Sequence, residues 1–440
     1  MSKRNLTILI IVLITITAVL FGFSYFSKTS TTNTTEQAQD TNFVSQFFPL
    51  IKKIIAPASE VTPPADISGF TPVTTQEQPK TKLNKISSIP IAGYGIFMKE
   101  RFKDILSSPQ NTEIETTTEV TPPPTELVPA VKYVDKTIGN IYQTFASNIY
   151  ERKFSEIVIP NVHEAYFTNN GESVVMRYLK EDNKTIETFI GTLPKETPGS
   201  DSTENNTIDA VFLPENVSDL SISPDGSKIF YLFNSSNSVV GIISDTSGVK
   251  KSQVFDSPFT EWLSWWPNNK IITLTTKPSS NVPGHMYELD LNKKEFNKVL
   301  ENINGLTTLA SPSGEMVLYS DNNLSLRVYD TKTRESISVG LKTLPEKCVW
   351  GKTSEYVYCA VPKYVEQGNY PDSWYMGEIS FSDEIWRMNI EIGAGTLLSD
   401  TTSVNGVEDI DGIRLSLDEN ENYLFFINKK DSYLWKLDLN

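Results

Sequence analysis

The feature that most restricts the fold is a hairpin that recurs along the chain. LSISPDGSKIFYLF, Leu220 to Phe233, runs as an apolar strand into a Pro-Asp-Gly turn and leaves through an Ile/Phe/Tyr-rich strand. Pro and Asp favour such a turn, and Gly226 supplies the left-handed backbone it needs. The unit returns as AYFTNNGESVVMRY (Ala165 to Tyr178), LSWWPNNKIITLTT (Leu263 to Thr276), LASPSGEMVLYS (Leu309 to Ser320), CVWGKTSEYVYCAV (Cys348 to Val361) and LSLDENENYLFFI (Leu415 to Ile427). A second hairpin follows the first, as in MYELDLNKKEFNKVL (Met286 to Leu300) and LRVYDTKTRESISVG (Leu326 to Gly340). Two hairpins per unit, repeating every ~40–50 residues, predict an all-β protein, a β-propeller of four-stranded antiparallel blades.

Lettering the strands a to d from the first of each blade, the last copy has a (Ile413 to Leu417), b (Tyr423 to Ile427) and c (Tyr433 to Leu439), but no d. TKLNKIS, Thr81 to Ser87, resembles the d strands FSEIVI and FNKVL and can complete that blade. Closing the ring in this way leaves no unpaired edge. Upstream, IPIAGYGIF (Ile89 to Phe97) supplies strand a of a further blade, and Lys132 to Pro160 supplies b, c and d. Residues 101–128, which include ETTTEVTPPPTE, are expected to be a disordered insertion between a and b. The expectation is seven blades; six, closed by Phe154 to Ile159, is the alternative.

Leu6 to Phe26 is an uncharged apolar run, long enough to cross a ~30 Å hydrocarbon core as a helix. Lys3 and Arg4 precede it, which keeps residues 1–5 in the cytoplasm. The run exceeds the ~7–15 residues of a cleaved signal peptide's core. Residues 6–26 are therefore expected to be a transmembrane signal anchor in a single-pass membrane protein. Residues 27–80, rich in Thr, Ser and Pro, are expected to be a disordered tether with an interfacial helix at 49–56 or a helix packed on the folded part. The propeller, 81–440, then lies outside the cytoplasm.

Charge and composition exclude several chemistries. With 39 Lys+Arg against 54 Asp+Glu the net charge is −15, so nucleic acid is not an expected partner. Two His and two Cys give little material for a metal site, and no metal or cofactor is expected. Cys348 and Cys359 flank a turn centred between Thr353 and Ser354. Antiparallel partners keep a constant index sum, so the two face each other, and an oxidising compartment would join them.

SPDGSKIFY (Ser223 to Tyr231) and SPSGEMVLY (Ser311 to Tyr319) resemble the WD40-like repeat of TolB-type propellers and of prolyl-oligopeptidase and dipeptidyl-peptidase propeller domains. Neither segment carries the Trp-Asp or the Gly-His pair of true WD40 repeats. The resemblance implies the architecture and says almost nothing of function. The nucleophile elbow G-x-S-x-G of the peptidase relatives is also absent.

Two segments offer binding candidates. Between strands b and c of the sixth blade, Pro362 to Ser382 carries Tyr364, Tyr370, Trp374, Tyr375 and Phe381. Loops avoid so many rings unless these recognise a partner or fold back on their own blade. Glu408, Asp409 and Asp411 precede strand a of the last blade and are expected to rim the central channel as an acid–base pair, a calcium site or a solvated loop. Trp262, Trp265, Trp266 and Trp350 are assigned to packing between blades. The expected function is non-catalytic binding or scaffolding of a protein, peptide or glycan at the cell envelope. The alternatives are a glycoside-cleaving enzyme using a carboxylate pair and a structural subunit of an envelope complex.

Overall fold

The computed structural model describes residues 83–103, 124–196, 208–401 and 409–440. The expected anchor, tether and interfacial helix at 6–80 lie outside the described residues. Among those described, no helix is long and apolar enough to cross a membrane.

The strands form seven four-stranded antiparallel sheets. Blade 1 is β2 (Ile91–Phe102), β3 (Thr125–Asp135), β4 (Ile141–Phe145) and β5 (Arg152–Ser155). Blades 2 to 6 follow in chain order, four strands each, with innermost strands β6 (Val162–Thr168), β10 (Val217–Ile222), β14 (Trp262–Asn268), β18 (Thr307–Ala310) and β22 (Cys348–Trp350). The seventh contains β26 (Gly412–Leu417), β27 (Tyr423–Asn428) and β28 (Leu434–Asp438), and its outer strand is β1 (Leu83–Lys85) from the other end of the chain. Leu83, Asn84 and Lys85 pair with Leu437, Lys436 and Trp435. The seven-blade count and its closure by the N-terminal strand match the sequence reading.

The expected disordered insertion at 101–128 is corrected at its two ends, where residues 101–102 and 125–128 are strand. The β2–β3 hairpin keeps its register out to Phe102 opposite Thr125, because the polar ends of both strands still satisfy one another's backbone groups. Residues 104–123 lie outside the described residues.

The core consists of apolar layers shared between adjacent blades. Phe425, Ile427 and Leu434 of blade 7 meet Ile91, Val131 and Tyr133 of blade 1. Phe230 and Leu232 of blade 3 meet Trp262, Trp266 and Leu274 of blade 4. Each fully buried ring or branched chain contributes ~1.5–3 kcal/mol, and this lateral packing holds the ring. Blades 1 and 2 approach so closely that a Cβ on Gly93 would stand 2.0 Å from the Ala165 carbonyl oxygen. The repeated a–b turns depend on left-handed residues, among them Gly226 at φ +67° and Gly314 at φ +76°.

Candidate functional site

The innermost strands surround an axial cavity of about 550 Å³. Tyr94, Tyr166, Asp219, Trp265, Glu346 and Arg414, each from a different blade, supply its chemistry. Asp219 lies on β10, and its Oδ2 accepts from the Ser264 backbone N–H and hydroxyl, both at 2.6 Å. Glu346 sits on a 3-10 turn, Pro345–Lys347, just ahead of β22. Glu164 on β6 accepts from Arg177 at 2.5 Å and from the Tyr166 hydroxyl at 3.2 Å, and lies 3.7 Å from Arg414. Arg414 stacks over the Tyr166 ring, 5.0 Å from its centroid, and donates to the Ala92 carbonyl.

These three carboxyls are pushed apart in acidity. Burial raises Glu346 to about 7, and the Asp219 charge pushes the same way against the Tyr375 hydroxyl and Lys347. Burial also raises Asp219, against the two Ser264 hydrogen bonds and with help from the Glu164 charge. Burial would raise Glu164 as well, but Arg414 and Arg177 outweigh it and hold that carboxyl below its ordinary value. Near neutral pH Glu346 is therefore part-protonated in the cavity, whereas Glu164, behind Tyr166 and Arg414, is ionised and arginine-bound.

The aromatic insertion divides into two. Tyr370, Trp374 and Phe381 are buried, packed with Leu324 and Leu344. Their expected place on a recognition surface is corrected: flat rings in a loop gain more from covering the apolar edge beneath them than from facing water. Tyr364 is 76% exposed and stays outside that cluster. Tyr375, 37% exposed, ends the short helix α1 (Asp372–Tyr375) and donates its hydroxyl to Glu346. The insertion also reaches blade 4, where Asp372 accepts from the Ser280 N–H at 2.6 Å.

The acidic loop is similarly divided. Glu408 lies outside the described residues. Asp409 is exposed and accepts from the Ser382 hydroxyl at 2.8 Å. Asp411 is fully buried and so does not rim the channel as expected. Its carboxylate accepts from Trp374 Nε1 at 2.9 Å, and from the Ser380 hydroxyl and Phe381 N–H at 3.0 Å each. Its other oxygen pairs with Lys347, which also donates to Asp383 at 2.7 Å, all three side chains being 0% exposed. Cys348 on β22 is paired in register with Cys359 on the next strand, β23 (Tyr356–Pro362), and a disulfide joins them with Cα atoms 4.1 Å apart. Among the described residues no group of three or more His, Cys, Asp or Glu is placed to hold a metal ion.

Sequence reasoning missed Glu346, Asp219 and Trp265. Trp262, Trp266 and Trp350 are buried, in keeping with packing, but Trp265 is 45% exposed. A register shift separates Trp265 from Asn268 on β14, and Trp265 lines the cavity. Its indole N–H is already bonded to the Ala310 carbonyl at 3.0 Å. No sequence signal marked Asp219 or Glu346 among 54 acidic residues.

No protein-family model and no curated protein sequence matches the chain. Solved structures do. An oligogalacturonate lyase from Vibrio parahaemolyticus matches with TM-score 0.49 and 9% identity, over 71% of this chain and 86% of that one. An oligogalacturonate lyase in complex with manganese gives 0.45 and 8%, over 71% and 85%. The tricorn protease gives 0.35 and 13%, over 68% of this chain but only 27% of the protease. These likenesses are of fold. The class defined by fold and cavity is a seven-bladed β-propeller. The expectation of a non-catalytic binding or scaffolding module is corrected at the cavity, where Asp219 and Glu346 bring two carboxyls raised by burial to one site.

Proposed function

We propose that the chain is a carbohydrate-active enzyme that cleaves a glycan within the axial channel. Glu346 is its proton donor and Asp219 its partner carboxylate. The observation that carries this reading is that both carboxyls line one cavity, beside aromatic faces, with the Asp219 charge felt at Glu346. Trp265, its only polar atom already bonded, offers the cavity a ring face, a surface suited to the apolar side of a sugar. In cleavage, Glu346 gives its proton to the leaving oxygen as the glycosidic bond breaks. Asp219, as carboxylate, takes a proton from the attacking water, so a hydrolysis balances with no further reactant.

The same proposal includes the setting. The SPDGSKIFY repeat supports kinship with TolB-type propellers. The apolar run at 6–26 and the paired cysteines support an anchored protein whose propeller works outside the cytoplasm, on envelope or environmental glycan.

The test is a panel of neutral and acidic polysaccharides incubated with the purified full-length chain. New reducing ends report hydrolysis, and ultraviolet absorbance of an unsaturated product reports elimination. At least one glycan should be cleaved with new reducing ends, and the Asp219→Asn/Glu346→Gln double variant should be inactive on it. Undiminished cleavage by the double variant, or no cleavage of any glycan, overturns the proposal.

A further inference from the structure

The insertion of blade 6 touches a cavity-lining side chain, Glu346, through the Tyr375 hydroxyl, and the residues that fasten it are contiguous with the proposed acid. Glu346 and Lys347 are consecutive on one 3-10 turn. Glu346 faces the cavity, whereas Lys347 is buried against Asp383 and Asp411 and donates to the Gly412 carbonyl at 3.1 Å. Asp411 in turn receives Trp374, Ser380 and Phe381 of the insertion. Lys347 also lies 5.3 Å from the Trp374 ring centroid and 5.2 Å from that of Phe381. Lys429 closes the other side, donating to the Trp374 carbonyl at 2.9 Å. One buried cation thus joins the turn that carries Glu346, the insertion that carries Tyr375, and the first strand of blade 7.

We propose that the insertion is a positioning arm for the acid: Tyr375 orients the Glu346 carboxyl by donating to it, and the Lys347–Asp411 pair fixes the arm in place. Tyr375 is a positioning residue, acting through Glu346. The role rests on the reading of Glu346 as proton donor, but the contact itself does not. Of the groups facing Glu346, Asp219 from blade 3 pushes its acidity down, and Lys347 from its own turn and Tyr375 from the insertion push it up. Asp372, on α1, adds its charge at Tyr375. Burial and the Glu346 charge raise the Tyr375 phenol well above its ordinary value, so it remains a donor at every physiological pH.

The experiment needs no substrate. Carboxyl carbon-13 resonances of glutamate-labelled full-length protein are followed against pH, with Glu346 identified by its loss in Glu346→Gln. Tyr375→Phe removes only the hydroxyl, from a partly exposed ring, and should raise the Glu346 midpoint by about one pH unit. Asp411→Asn should produce a rise of the same sign by releasing the arm. If Asp411→Asn does not fold, Ser380→Ala, which removes one of the arm's fastenings, serves in its place and should give a smaller rise. An unchanged midpoint in Tyr375→Phe, or in a folded Asp411→Asn or Ser380→Ala, overturns the proposal. Because no glycan is involved, failure here is separate from failure of the enzymatic reading.

Discussion

Replacing Lys347 with Met tests the buried centre that joins blades 6 and 7. The side chain is 0% exposed, as are those of Asp383 and Asp411, and it is the cation paired with both. Met keeps most of the volume and removes the charge. Two carboxylates are then left facing each other without a counter-ion, and breaking a buried pair in this way costs ~3–5 kcal/mol. For a domain of this size the unfolding entropy converts that into a fall in Tm of about 5–8 °C.

The pH dependence gives the argument its sign. In the parent protein burial raises Asp383 to about 6, against the pull of Lys347. Its contribution to stability is present in full below the unfolded value of 3.8 and is lost as pH rises through about 6. Asp411 behaves oppositely: burial would raise it, but Lys347 and the insertion's donors hold it down, so its contribution exists above the ordinary value and is lost as pH falls. Without Lys347 both carboxyls move up and both favour the protonated form. The destabilisation should therefore be large near pH ~7.5 and less than half as large near pH ~4.5. Adding Asp383→Asn and Asp411→Asn to Lys347→Met should restore much of the loss at neutral pH, because no unpaired charge remains. Differential scanning calorimetry of the purified full-length variants at both pH values reads all of this. A Tm at neutral pH within a degree or so of the parent, or a loss equal at both pH values, would refute the account of the centre.

Other substitutions probe the ring, the insertion and the disulfide. Gly93→Ala forces a methyl onto the Ala165 carbonyl at 2.0 Å; the blades must separate, and denaturant titration should show a loss of about 1–3 kcal/mol or more. Trp374→Ala removes a ring that is 3% exposed and should cost ~3–5 kcal/mol in the same titration, whereas Tyr364→Ala, at a residue 76% exposed, should leave stability within ~0.5 kcal/mol. Unfolded, unreduced protein should show no titratable thiol, and Cys348→Ala/Cys359→Ala should lose at most about 3 kcal/mol, since the bond closes a short loop.

The parts of the fold that were legible in the sequence were those fixed by local alternation and turn chemistry. The a–b turns, the missing strand of blade 7 and the pairing of Cys348 with Cys359 follow from period-two patterning and a constant index sum, and the register reproduces them. The site was not legible because it is assembled by the ring. Asp219 and Glu346 share a cavity only when blades 3 and 6 face one axis, and nothing local separates them from other acids. Alternation along β14 sets Trp265 toward the cavity while Trp262 and Trp266 on the other face stay buried, and nothing in a run of similar residues says which face is the inner one. The insertion's rings were correctly singled out as unusual, but two of them, Trp374 and Phe381, are fastened by Asp411, whose burial cannot be read from an acidic loop. Only Tyr375 faces the site, through Glu346.

The measurement that bears most directly on the central claim is the pH–rate profile of Glu346→Gln beside the parent on whichever glycan the panel selects. If Glu346 is the proton donor, the parent rate falls as pH rises through about 7. The variant should be slower by about 10²–10⁴-fold, with that limb of the profile gone. A variant that retains the parent rate and the parent limb would contradict the assignment of the acid, and with it the axial channel as the site of reaction.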